Sequence, residues 1–226
     1  EIRRVLFRSA KGAPISKGGH SDGVVPFLKM ADSVILGISQ GSTRRGACAA
    51  YIDIEHGDFD EFLQSRRPTG DVNRQCLNLH HGVCVSNAFI DKVKAGDGEA
   101  RRRWKELVKS RVETGEPYVF FTDNANDQAP AVLKETGIKL KGSNLCSEIF
   151  LPTDKDHTFV CCLSSLNLAR WDEWKDTDTV QLSVWFLDGI MEEFIQKASG
   201  LRGFERALRF ATKSRALGLG VLGLHS

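Results

Sequence analysis

Three side chains that could do chemistry are spaced two residues apart in the segment GSNLCSEI at 142–149. Asn144 offers a carboxamide, Cys146 a thiol and Glu148 a carboxylate. In an extended segment alternate side chains point the same way, so an extended conformation would put all three on one face. Such a face would combine a hydrogen-bond donor, a sulfur nucleophile or radical carrier, and a general base. Alone the triplet is weak evidence, because a buried cysteine commonly packs as a small hydrophobic residue.

A second cysteine site follows fifteen residues after Cys146, in the apolar segment VCCLSSLNL at 160–168. Its residue types favour a strand. A disulfide between the neighbours Cys161 and Cys162 would be strained, so we do not expect them to pair with each other. Three further cysteines are interpreted as structural: Cys48, Cys76 and Cys84.

Together the two segments resemble the catalytic centre of the ribonucleotide reductase large (alpha) subunits, class I-like, and the resemblance runs from about Gly12 to His225. It implies that Cys146 becomes a thiyl radical and abstracts the 3′ hydrogen of the ribose. Glu148 would take the 3′-hydroxyl proton as general base, and Asn144 would hold the sugar hydroxyls in place.

The resemblance also implies a redox pair that delivers two electrons and ends as a disulfide. Cys161 matches its second member better than Cys162, because the family's cysteine is followed by one residue and then Leu-Ser or Leu-Ala. The fifteen-residue offset from Cys146 fits as well. In the family the partner cysteine precedes a Gly-rich loop, on a stretch that this chain lacks.

Two loops resemble the family's allosteric specificity site, which binds nucleoside triphosphate effectors. The first is Gly-rich and covers 12–19, where the backbone can approach phosphates and Lys17 adds charge; the family often has Arg there. The second covers 39–46, and Gln40 and Arg44 would make its side-chain contacts. The helix between the loops resembles the family's dimer interface.

The elements that must position these residues alternate between strand and helix, which favours an α/β fold. Periodicity predicts helices over 24–38, 58–64, 87–94, 100–113, 180–198 and 204–217. Strands are predicted over 47–54, 82–86, 116–121 and 159–163, with a loop over most of 122–141. The resemblance implies part of a ten-stranded α/β barrel, with the reactive cysteine on a central finger loop. Residues 1–11 are an unassigned tail of native or non-native origin, and 12–226 form the partial barrel domain with its effector loops and finger loop.

The composition of the chain argues against several classes of function. The chain has 226 residues, 41% of them hydrophobic and 27% charged, with a net charge of +2. This balance gives no sign of a nucleic-acid or membrane surface, and the basic run 101–103 is interpreted as a solvated helix face. No apolar run reaches the length of a membrane span. Six irregularly spaced cysteines form neither a disulfide framework nor Cys-x-x-Cys zinc units. A reducing cytoplasm fits them best.

We therefore predict that the chain is an internal fragment or split-gene product of a longer subunit. That subunit would reduce ribonucleoside diphosphates to deoxyribonucleotides. The resemblance implies a metal-containing small (beta) subunit as the radical source, a homodimer of large subunits, and thioredoxin or glutaredoxin as reductant. No cofactor or metal is expected in this chain. Two alternatives stay open: an adenosylcobalamin-dependent class II reductase, and a non-catalytic piece that only binds effectors and dimerises. The chain alone is expected to be inactive, because one redox cysteine and the substrate-phosphate loop are missing.

Overall fold

The computed structural model describes residues 9–16, 18–40 and 44–225. The fold is mixed α/β, and the chain divides into two compact units. The first unit comprises the described part of Glu1–Ala129 together with Lys141–Phe150. The second comprises Pro130–Leu140 and the described part of Leu151–Ser226.

The first unit is built on a three-stranded parallel sheet in the order β3-β4-β5. These strands are β3 (Ala49–Asp53), β4 (His80–Val85) and β5 (Tyr118–Phe121). Parallel strands need a crossover connection, and helices supply it. Helix α1 (Val25–Gly37) precedes the sheet, α2 (Phe59–Ser65) lies between β3 and β4, and α3 (Asn87–Ala95) and α4 (Gly98–Thr114) lie between β4 and β5. The predicted helices and strands of this unit are therefore confirmed, with ends shifted by a few residues.

One face of this sheet forms the core with the helices, because alternate strand residues point to it. Buried members of the core include Ile52, Ile54, Phe59, Phe62, Leu79, Val83, Val85, Phe89 and Leu107. Asp32 is buried on α1 and accepts hydrogen bonds from the backbone N–H groups of Asn78 and Leu79 at 2.7 and 3.1 Å. This carboxylate fixes the chain just before β4 begins.

A two-stranded antiparallel ladder follows α1, formed by β1 (Ser39–Gln40) and β2 (Arg44–Arg45). After β5 come two short helices, α5 (Thr122–Asp127) and α6 (Ala131–Lys134). The predicted loop over 122–141 was therefore wrong for these residues. These short segments contain too few apolar residues to show a helical period, so the sequence could not distinguish a short helix from a loop.

The second unit contains a parallel pair, β6 (Leu163–Asn167) and β7 (Gly218–Leu222), in which Leu163 is opposite Gly218. Between them lie α7 (Trp171–Trp174), α8 (Thr179–Ala198) and α9 (Glu205–Ser214). Its buried apolar side chains include Leu187 and Met191 on α8 and Phe210 and Ala211 on α9.

The strand predicted over 159–163 was wrong: residues 159–162 have no regular structure, and the strand begins at Leu163. The apolar run was read correctly as strand-like, but a strand forms only where a partner is available. That partner, β7, pairs with 163–167 and not with the residues before it.

The described residues form seven strands in three separate sheets of two, three and two strands. A closed ten-stranded barrel is not visible in this part of the chain, and it stays a prediction for the longer subunit.

Candidate active site

The segment with Asn144, Cys146 and Glu148 is a tight turn. The N–H of Asn144 donates to the carbonyl of Ile149 at 3.1 Å, and the N–H of Ser147 donates to the carbonyl of Asn144 at 3.2 Å. Leu145 and Cys146 lie at the turn itself. The extended conformation predicted from the spacing was therefore wrong, and alternation along a strand does not bring these side chains together.

The Asn144 carboxamide accounts for the difference. Its Oδ1 accepts a hydrogen bond from the N–H of Ile149 at 3.0 Å, and its Nδ2 donates to Oε1 of Glu148 at 2.7 Å. Asparagine side chains compete with strand formation because they bond to nearby backbone groups. Asn144 thus closes the turn and holds Glu148, while Cys146 is exposed.

Ser147 carries backbone strain within the turn. Its φ is 70°, in the left-handed region that non-glycine residues rarely adopt. Its Oγ is buried and has no hydrogen-bond partner among the described residues. Strained, unsatisfied positions of this kind persist where the surrounding structure over-determines them, often at functional sites.

The turn lies against the second face of the three-stranded sheet, beside a cleft of about 360 Å³. The lining residues come from β3, β5, α5 and the turn segment: Tyr51, Tyr118, Val119, Phe120, Phe121, Asn124, Ala125, Ser143, Ser147 and Phe150. The rings of Phe120 and Phe150 are 5.5 Å apart, so the end of the turn segment packs on β5.

Tyr118 is a cleft residue that the sequence did not single out. Burial is the main cause that raises its pKa, and the charges of Glu116, Tyr51 and Cys146 raise the pKa further. Glu116 is buried and accepts a hydrogen bond from Nδ1 of His80 at 2.8 Å, and the ring of His80 stacks on Tyr118. No sequence motif links these residues, because strand pairing brings them together.

In the second unit Cys161 is exposed and lies two residues before β6. Cys162 is engaged in packing instead: its Sγ donates to the carbonyl of Leu187 at 3.5 Å, and its carbonyl accepts from the N–H of Gly218 at 2.9 Å. Burial, and then Asp188, raise the pKa of the Cys162 thiol. Cys161 is the more accessible thiol of the two.

The cysteines of the first unit's sheet and core are less accessible than Cys146 and Cys161. Cys76 is fully buried, and burial is the main cause that raises its pKa to about 11. Burial likewise raises the pKa of Cys84 to about 12, and its Sγ donates to the carbonyl of Lys141 at 3.5 Å. Cys48 is partly buried just before β3.

The predicted effector residues are only partly described. Lys17 lies outside the described residues, although Pro14 of that loop forms an antiparallel bridge with His20, just after the loop. Gln40 and Arg44 are opposite each other in the β1–β2 ladder, and their side chains lie outside the described part of the chain. The backbone thus brings Gln40 next to Arg44, and the effector role stays a prediction.

Among the described residues, no cluster of three or more His, Cys, Asp and Glu side chains could hold a metal ion. None of the helices in this part of the chain has both the length and the apolarity to cross a membrane.

Comparisons with known proteins identify the family. The family model for the ribonucleotide reductase barrel domain matches residues 7–100 and 97–226. Frog virus 3 (isolate Goorha) has a relative named as a ribonucleoside-diphosphate reductase large subunit, 43% identical over 219 residues, which cover 90% of this chain and 39% of that protein. The large subunit of Invertebrate iridescent virus 3 is 33% identical over 276 residues, covering 91% of this chain and 44% of the relative.

A solved structure agrees with these relatives. The Actinobacillus ureae class Id ribonucleotide reductase alpha subunit is 48% identical, with a TM-score of 0.82 over 91% of this chain and 38% of that chain. The chain spans about two fifths of the length of the proteins it matches. It belongs to the ribonucleotide reductase family, as part of the barrel domain of the large subunit.

Proposed function

We propose that this chain is the part of a ribonucleotide reductase large subunit that carries the radical cysteine, and that this cysteine is Cys146. The completed subunit would reduce ribonucleoside diphosphates to 2′-deoxyribonucleoside diphosphates. The observation that carries the proposal is the Cys146 turn. Its exposed thiol lies in sequence between Asn144 and Glu148, whose side chains are hydrogen-bonded to each other at 2.7 Å.

The chemistry of the turn would follow from the atoms it presents. The Cys146 thiyl takes the hydrogen atom from C3′, so that an S–H bond forms as the C3′–H bond breaks. The two bonds have similar strength, which makes the step nearly thermoneutral and reversible. Glu148, whose Oε1 accepts a hydrogen bond from Asn144, would take the 3′-hydroxyl proton as general base. Asn144 orients the sugar hydroxyls.

Loss of the 2′-hydroxyl as water then requires two electrons. A pair of thiols supplies them by forming a disulfide, and the exposed Cys161 is proposed as one of the two. The second thiol would come from a part of the subunit outside this chain. Thioredoxin or glutaredoxin would restore the reduced pair in the cytoplasm.

The proposed partners are those of a class I enzyme, because the relatives carry the names of large and alpha subunits. A small subunit containing a metal would supply the radical, two large subunits would form a homodimer, and nucleoside triphosphates would act as effectors through Lys17, Gln40 and Arg44. Replacing Arg44 with Ala should weaken the way each effector selects its substrate by about 1–3 kcal/mol of coupling. Substrate preference that still switches fully between effectors would contradict this role.

The experiment is a chimera in which residues 12–226 replace the matching segment of the Actinobacillus ureae alpha subunit. Deoxynucleotide formation that depends on a small subunit would support the proposal. Activity that depends on adenosylcobalamin instead would favour the class II alternative. A chimera that folds and binds effector without any turnover would favour the non-catalytic alternative.

The isolated chain is the matched control. With small subunit and a dithiol added, it should not turn over, because only one of the two redox thiols is present. Repeated turnover by the isolated chain would mean that another of its cysteines completes the pair.

A further inference from the structure

Tyr51 crosses the middle of the three-stranded sheet toward the Cys146 turn. Its neighbour on β4 is Gly82, and a Cβ at that position would lie 2.3 Å from the Tyr51 ring. Glycine weakens a strand interior but permits another group to approach the backbone closely. Gly82 is therefore required for the ring of Tyr51 to lie across β4.

Beyond Gly82 the ring reaches β5 and the turn segment. It meets Phe120 edge-on, with ring centres 6.2 Å apart and planes at 77°. A Cβ at Gly142 would lie 3.5 Å from the same ring, an ordinary contact distance. The Tyr51 hydroxyl then hydrogen-bonds to Oγ of Ser143, the residue before Asn144.

The direction of this hydrogen bond follows from the number of hydrogens. Ser143 has one hydroxyl hydrogen, and its Oγ donates to the carbonyl of Asn144 at 2.8 Å. The Tyr51 hydroxyl must therefore donate to Ser143. The Asn144 carbonyl also accepts from the N–H of Ser147. One continuous chain of hydrogen bonds thus joins the sheet to the residue that closes the turn, and such chains polarise and strengthen their members.

We propose that Tyr51 is a positioning residue for the Cys146 turn, acting through Ser143 on the Asn144 carbonyl. Its catalytic consequence rests on the proposed function, whereas its effect on the turn does not. The hydroxyl of Tyr51 fixes where Asn144 holds Glu148 and therefore where Cys146 is presented.

The first test uses the 226-residue chain and needs no activity. The change is Tyr51→Phe, which keeps the ring over Gly82 and removes only the donor. Exchange of the Ser147 amide hydrogen, followed by NMR, should accelerate about fivefold, the factor expected for one net hydrogen bond. In a Ser143→Ala background the same change should have no further effect, because the intermediate hydroxyl is already gone.

Tyr118→Phe is the matched control. It removes a hydroxyl that lies in the same cleft. That hydroxyl is 3.5 Å from Nδ1 of His80 and makes no hydrogen bond to the turn. Unchanged Ser147 exchange in Tyr51→Phe, or equal acceleration in both variants, would overturn the proposal.

The second test uses the chimeric subunit. Tyr51→Phe should lower kcat several-fold with little change in KM, because the hydroxyl acts on the turn through Ser143 and so affects the chemical step more than binding. An unchanged kcat in an active chimera would overturn the catalytic part. If the chimera itself is inactive, the proposed function fails, and the exchange measurement still decides the role of Tyr51.

Discussion

The two units differ in how much apolar surface they bury. In the first unit the sheet packs on four helices, and its core side chains are almost wholly inaccessible. In the second unit the β6–β7 pair leaves Leu163, Val221 and Leu222 about half exposed, at 47%, 57% and 50%. Helix α8 likewise exposes Trp185 and Phe186 at 62% and 68%.

The two units also differ in how firmly they hold the proposed reactive cysteines, Cys146 and Cys161. The Cys146 turn is fixed to a well-packed sheet through the hydrogen bonds of Tyr51, Ser143 and Asn144. Cys161 lies in an irregular segment of a unit with a small core. Stability follows buried apolar area, so the first unit is expected to hold its site more rigidly than the second.

The largest expected effect comes from removing an aromatic side chain in each unit. Phe62→Ala should destabilise the first unit by about 3–5 kcal/mol, because it leaves a cavity in a packed core. Phe186→Ala in the second unit should change stability by about 0.5 kcal/mol or less, since the ring is mostly exposed. Amide exchange of β4 and of α8, respectively, measures the two effects. Equal losses in both variants would contradict the contrast between the units.

The next effect is a pH dependence of the first unit that comes from His81. Burial is the main cause that lowers the pKa of His81 to about 4 from the ordinary 6.5. The unfolded chain binds the proton more readily, so stability is full above pH 6.5 and falls as the pH drops toward 4. The slope can reach about 1.4 kcal/mol per pH unit in that interval.

Urea unfolding at several pH values, followed by exchange of β4 amides, measures this slope. His81→Gln should remove the part of the slope that lies between pH 6.5 and the range where carboxylates titrate, although it also lowers stability at pH 7. His157→Gln, in the second unit, is the control and should leave the slope intact. A first unit whose stability is constant from pH 6.5 to 4 would contradict the buried neutral histidine.

A third, smaller difference concerns thiol reactivity. At pH 8 Cys146 and Cys161 should react with iodoacetamide about 100-fold faster than Cys76 and Cys84. The exposed thiols are accessible, whereas burial raises the pKa of the other two to about 11 and 12. Peptide mass spectrometry over time gives the rates. Comparable labelling of all four would mean that the core of the first unit opens too often to protect Cys76 and Cys84.

The smallest expected effect is within the turn. Ser147→Gly should stabilise it by about 0.5 kcal/mol, because relief of the left-handed strain exceeds the entropy cost of glycine. The amide of Ile149, which donates to Asn144, should then exchange about twofold more slowly. Ser143→Gly is the control: its φ is not left-handed, and losing the hydroxyl should accelerate exchange. Faster exchange in Ser147→Gly would mean that the strain is absent.

Much of the fold could be predicted because its signals are local. The periodic stripe of α8 predicted a helix over 180–198, and the structure has Thr179–Ala198. Strands β3, β4 and β5 were each predicted within a few residues, because each is a short apolar run beside turn residues.

The features that could not be predicted depend on contacts between residues far apart in the sequence. Tyr51 and Ser143 are 92 positions apart, so no window of sequence contains their hydrogen bond. The start of β6 is set by β7, more than 50 positions later. The spacing of Asn144, Cys146 and Glu148 identified the right residues but predicted the wrong conformation, because the Asn144 side chain bonds to the backbone.

The measurement that tests the central claim most directly is turnover of the chimeric subunit with Cys146→Ser, beside Cys48→Ser as a matched control. Deoxynucleotide formation should be abolished in Cys146→Ser while substrate affinity is nearly unchanged, because only the chemical step is lost. Cys48→Ser, which changes a partly buried thiol before β3, should retain activity. Appreciable turnover by the Cys146→Ser variant would contradict the assignment of Cys146 as the radical carrier.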